Sequence, residues 1–131
     1  MGLVALLDTH ALAWLTQDPA QLSPKVRTLL EDPDNTFWMS SVTAYEMSLK
    51  HRLGKWPEVG PLLEQFFEVL HELGFQTLPI SPRHALLAGR LEAEHRDPWD
   101  RLLAAQASFE RLPLVSADPA FGQFAGLEVL W

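Results

Sequence analysis

Two carboxylates stand at the ends of apolar runs: Asp8 follows Leu3-Val4-Ala5-Leu6-Leu7, and Asp118 closes Leu114-Val115-Ser116-Ala117-Asp118. A strand buried in a parallel sheet gives no reason for a charge at its end, because an unpaired buried carboxylate is costly. Ligands of open α/β sheets bind just outside the carboxyl ends of the strands. Two more acids, Glu46 and Asp100, lie on helical patterns that can bring them to the same edge. The chain has no cysteine, so the gathered set is oxygen-only, as magnesium or manganese prefers. Gathered acids repel one another and need a cation between them. Such an ion lowers the pKa of an attacking water and stabilises both the attacking and the leaving oxygen. The implied chemistry is hydrolysis of a phosphodiester.

Each acid also has a structural use. Asp8 is a good N-cap for the pattern Thr9-His10-Ala11-Leu12-Ala13-Trp14-Leu15, which leaves its second oxygen for a metal. Asp118-Pro119 is a common turn starter. Asp100 falls in the first turn of a helix, where the macrodipole favours an acid, and Asp97 before Pro98 reads as that helix's N-cap. Glu46 lies four residues after Val42, on a stripe drawn through Val42, Tyr45, Leu49 and Leu53. Lys50, four residues further on, offers it an ordinary ion pair.

The elements that must position these acids alternate between short buried-type strands and helical patterns. That is the signature of a parallel sheet covered on both faces, and residues 1–131 read as one domain. Strands are expected at Leu3–Leu7, Phe37–Ser40, Phe75–Ile80, Leu114–Ser116 and Leu127–Trp131. Ser23-Pro24, Ser81-Pro82 and Asp97-Pro98 each open a helix by cap and proline. A helix runs from Ser41 to about Leu53, and Pro57–Leu73 shows the clearest amphipathic spacing, through Leu62, Leu63, Phe66, Phe67, Leu70 and Leu73.

The formal net charge of −7 argues against a protein that coats nucleic acid, though not against an enzyme that cuts it. The amino end carries no secretory signal and no segment is apolar enough to span a bilayer, so a cytoplasmic address without membrane attachment is expected. Lys50, Arg52 and Lys55 form the one basic cluster, and with Arg101 they are candidates to grip RNA phosphates. The five histidines show no metal-ligand spacing and the five tryptophans read as core or interface, His95 standing out only for its nearness to Asp97 and Asp100.

With these residues placed, the chain resembles a PIN domain of the toxin (VapC-like) nuclease branch. Leu6-Leu7-Asp8-Thr9-His10-Ala11 resembles the opening block, and Ser40-Ser41-Val42-Thr43-Ala44-Tyr45-Glu46-Met47 the second. His95-Arg96-Asp97-Pro98-Trp99-Asp100-Arg101-Leu102-Leu103-Ala104-Ala105-Gln106-Ala107 is similar to a toxin-subgroup segment that usually has phenylalanine where Trp99 stands. Leu112–Asp118 resembles the last acidic block, with Ser116 where threonine is common.

The resemblance implies an α/β fold: a parallel sheet of order 3-2-1-4-5 with helices on both faces. It implies a magnesium- or manganese-dependent endoribonuclease, usually a homodimer, silenced by a cognate antitoxin. Asp8, Glu46, Asp100 and Asp118 carry over as catalytic metal ligands, and Ser116 as a hydroxyl supporting them. The competing expectation is a PIN-like module that binds protein partners without catalysis. A receiver domain would want a lysine after a late strand, whereas all three lysines precede residue 56. An aspartate phosphatase would want Asp-x-Asp at Asp8, where the third residue is His10.

Overall fold

The middle of the sheet is the most apolar strand, β1 (Val4–Leu7), whose last three residues are fully buried. It pairs in parallel with β2 (Thr36–Ser40) on one side and β4 (Leu114–Val115) on the other. Outside these lie β3 (Gln76–Leu78) and β5 (Val129–Leu130), which gives five parallel strands in the order β3-β2-β1-β4-β5. The structure, a computed structural model, describes residues 2–131. The single α/β domain has seven α-helices among the described residues: α1 (Thr9–Gln17), α2 (Pro24–Glu31), α3 (Ser41–Arg52), α4 (Gly60–Glu64), α5 (Phe66–Leu73), α6 (Pro82–Arg90) and α7 (Pro98–Glu110). None of them is long and apolar enough to cross a membrane.

Side chains alternate across a strand, so the sheet feeds two cores. Ala5, Leu7, Phe37 and Met39 pack with Leu12, Val26, Met47, Leu62, Phe66 and Leu70 on one face. Leu6 and Leu114 pack with Val42, Leu103, Ala104, Ala107, Phe121 and Phe124 on the other. The three cap-and-proline starts are as expected. Ser23 Oγ accepts from Val26 N at 3.1 Å, Ser81 forms a capping box with His84, and Asp97 accepts from Trp99 N and Asp100 N.

Three expectations need correction. The stretch Pro57–Leu73 is not one helix. It opens as a 3-10 turn, Pro57–Val59, and breaks again at Gln65. Pro61 has no N–H to give the Pro57 carbonyl, and Gly60 N takes that bond from three residues away instead. The buried set becomes Val59, Leu62, Phe66 and Leu70, while Phe67 is 79% exposed. The stripe on α3 is Val42, Thr43, Glu46 and Met47, and Tyr45 and Leu53 are 58% and 49% exposed. The third strand ends at Leu78, before Pro79, which cannot donate to the ladder.

One buried polar residue locks α7 to the sheet. Gln106 accepts a hydrogen bond from Ser40 Oγ, and its amide lies 3.5 Å from Leu78 O and 3.3 Å from Pro79 O, both acceptors. Ser40 in turn accepts from Val42 N and caps α3. Gln106→Ala is expected to lower unfolding stability by about 2–3 kcal/mol, from a cavity plus orphaned buried groups. Urea melts check this, and a loss below about 0.5 kcal/mol would contradict it.

Candidate active site

The register aligns the ends of the three central strands, with Leu7 opposite both Met39 and Val115. Asp8 and Ser116 are therefore the next residues out at the carboxyl edge, on the two strands where the winding of the sheet reverses. Asp8 serves its helix and the edge together. Its Oδ1 accepts from His10 N at 2.6 Å and from Ala11 N at 3.1 Å, capping α1, while Oδ2 accepts from the Ser116 hydroxyl. Ser116 Oγ also accepts from Asp118 N at 3.1 Å, so one hydroxyl ties Asp8 to the loop that carries Asp118.

Only 5% of Asp8 is exposed, and burial pushes its carboxyl above the usual range. Hydrogen bonds from Ser116, Ala11 and His10, and the charge of His10, oppose that shift without overcoming it.

Glu46 is equally buried and points from α3, where Oε2 pairs with Lys50 Nζ at 2.5 Å. Asp100 sits in the first turn of α7, with Oδ2 2.7 Å from His95 Nε2. Burial raises its carboxyl, and the charges of Asp97 and Asp118 add to that, while His95 opposes. Asp118 lies after β4 and uses Oδ1 to accept from Ala120 N at 2.9 Å.

All four acids line one cavity of about 110 Å³, together with Thr9, His10, Lys50, Asp97 and Leu103. Asp97, assigned from sequence mainly to capping, thus has both a structural and a cavity-lining place. Among the described residues, no three His, Asp or Glu side chains stand close enough together to hold an ion as they are positioned. Each acid is instead turned to its own partner: Ser116, Lys50, His95 or the Ala120 amide. The donor set itself fits a hard cation. It is all carboxylate, and burial disfavours the ionised forms of Asp8 and Asp100, a cost that a bound cation would offset.

Two of the four basic candidates, Lys50 and Arg101, part company here. Lys50 lines the cavity. Arg101 gives its guanidinium to four backbone carbonyls instead: Nε to Ala88 O at 3.0 Å, Nη1 to Ala93 O and His95 O at 3.0 Å, and Nη2 to Leu91 O at 2.6 Å. His10 was passed over among five scattered histidines, yet it lines the cavity next to Asp8. The signal that could have found it is its place one residue into the helix that the strand-end acid caps.

Solved structures with this fold span nearly the whole chain. VapBC2 from Rickettsia felis, bound to a DNA fragment from its promoter, is 18% identical with a TM-score of 0.71 and covers 98% of this chain and 99% of its own. DNA-bound VapBC from Salmonella typhimurium is 17% identical with a TM-score of 0.69, over 99% and 98%. The FitAcB structure from Neisseria gonorrhoeae is 22% identical with a TM-score of 0.67, over 98% and 97%. No curated protein matches the chain significantly. The PIN domain family model matches residues 5–127, nearly the full length, and by that match this chain belongs to the PIN domain family.

Proposed function

We propose that this chain is a divalent-metal-dependent endoribonuclease, the toxin of a toxin–antitoxin pair, cutting RNA phosphodiester bonds at the cavity of Asp8, Glu46, Asp100 and Asp118. The observation that carries it is the convergence of four acids, from four separate stretches of chain, on one cavity at the carboxyl edge of the sheet. The toxin assignment is supported by the VapBC and FitAcB structures that share the fold. A cognate antitoxin, a homodimer and a cytoplasmic place of action belong to the same proposal.

Magnesium or manganese would be held by the four acids and, when bound, supplies Lewis-acid charge at the scissile phosphate. The chain's own groups prepare that site. Ser116 fixes Oδ2 of Asp8, and His95 fixes Oδ2 of Asp100. Lys50 places a positive charge at the cavity wall, within reach of a phosphate there.

Lys50 also competes for Glu46. Lys50→Gln is expected to tighten Mn²⁺ binding about two- to fivefold, the worth of a partly exposed ion pair. Calorimetric titration of both proteins tests this, and unchanged or weaker binding would remove Glu46 from the ligand set.

One observation favours a non-catalytic binding module instead: the acids are turned to protein partners rather than toward one another. The deciding experiment incubates total RNA with the purified chain in magnesium, manganese or chelator. Cuts that depend on metal support the nuclease. Tight antitoxin binding with no cuts in either metal favours the module.

A further inference from the structure

The four-acid cavity shares wall residues with two neighbours that the four-acid chemistry does not use. One, of about 350 Å³ and mostly apolar lining, is walled by His10, Trp14, Ala117 and Pro119, with Asp8 and Asp118 on its catalytic side. The other, of about 390 Å³, is walled by His10, Lys50, Lys55 and Trp56. His10 lies in the wall of all three. Its ring stacks on Trp56 at 4.8 Å between centroids with planes 25° apart, and its centroid is 5.7 Å from that of Trp14. Lys50 Nζ stands 5.9 Å from the Trp56 ring centroid.

An aromatic, mostly apolar wall beside the acids and a pair of lysines beyond it match two different parts of one ligand. A nucleotide has a flat apolar base and an anionic phosphate, and unpaired strands are held by aromatic stacking together with basic side chains. The apolar cavity falls within the range of ordinary ligand pockets. From these observations we infer that the Trp14–His10–Pro119 cavity is a subsite for one unpaired nucleobase next to the scissile phosphate, with Lys50 and Lys55 meeting the phosphate of the adjoining nucleotide. This rests on the ribonuclease reading and adds to it.

The test uses the full chain in chelator at low salt, where cleavage is off, and compares a short single-stranded oligoribonucleotide with an abasic ribose-phosphate strand of the same length. The base-bearing strand is expected to bind about tenfold more tightly, the effect of one stacked base. His10→Ala and Trp14→Leu should erase that preference and Trp14→Phe should keep it. His10 is exposed, so its variant folds even where Trp14→Leu does not. Equal or absent binding of the two strands to the wild type, or a preference that survives in His10→Ala, overturns the subsite. Equal binding would give the pocket to an apolar side chain of a protein partner. Cleavage of RNA in magnesium is read separately. A base preference without cleavage keeps the subsite and removes the nuclease, and cleavage without a base preference does the reverse.

Discussion

Asp8→Asn is expected to abolish RNA cleavage and, in the absence of metal, to make the protein more stable at neutral pH. The loss of activity should be at least about 10²-fold, the usual effect of deleting a preorganised charge at the reacting centre. The gain in stability follows from burial, which holds the Asp8 carboxyl above its ordinary value in the folded chain. A folded carboxyl with a raised pKa keeps its proton to higher pH than the unfolded chain does. Its contribution is therefore favourable below the ordinary carboxylate range, and it is lost as pH rises through that range to the raised folded value. Above the ordinary carboxylate range the unfolded chain ionises Asp8 more readily than the folded chain does, and asparagine removes that difference.

Asparagine can still cap α1 and meet the Ser116 hydroxyl, so the shape of the edge survives. Thermal melts between about pH 4 and pH 8 should show the wild type losing stability with rising pH more steeply than Asp8→Asn. Asp100, raised in the same direction, leaves the variant a smaller slope of its own. Magnesium should recover stability in the wild type and have less effect on the variant. A variant that cleaves at the wild-type rate would remove Asp8 from the machinery.

The parts of this site written in adjacent residues were legible. An apolar run ending in an acid, with a helical pattern behind it, gave both β1 and the cap at Asp8. The cap-and-proline pairs at Ser23, Ser81 and Asp97 did the same for three helices, because a cap acts on the two or three amides that follow it. The order of the strands came from family resemblance, since no local pattern states which strand pairs with which.

What escaped was tertiary. Ser116 and Asp8 are 108 residues apart; the family resemblance put that hydroxyl among the acids, but no local pattern states that Asp8 is the carboxylate it meets. The α3 stripe was drawn through Tyr45 by hydrophobicity alone. The ring instead lies outside the core with its edge against Trp99, at 5.0 Å between centroids. Charge alone makes Arg101 a candidate for an RNA phosphate or for a solvated helix end, and neither reading points to the four carbonyls of residues 88, 91, 93 and 95 that take its hydrogen bonds.

The two roles for Arg101 make opposite forecasts. As a staple, its planar fork joins the end of α6 to the segment that leads into α7, and that segment bears His95, the partner of Asp100. Arg101→Ala takes a charged donor from four half-buried carbonyls, of which only Leu91 O keeps another partner, Ala93 N, and is expected to lower stability by about 3–4 kcal/mol. Arg101→Lys keeps the charge but cannot reproduce the fork, so it should recover little of that loss. If the lysine variant remains folded at low temperature, a loosened His95 should lower kcat with KM and its salt dependence nearly unchanged. A phosphate-gripping arginine would behave otherwise. Lysine would substitute well, alanine would raise KM at little cost in stability, and the salt dependence of KM would weaken by about one contact. Denaturant melts of both variants, with kcat and KM at two ionic strengths, separate the cases. A stable Arg101→Ala with a raised KM would return Arg101 to the substrate. Loss of stability in both variants would leave Lys50 and Lys55 as the basic side chains facing the RNA beside the acids.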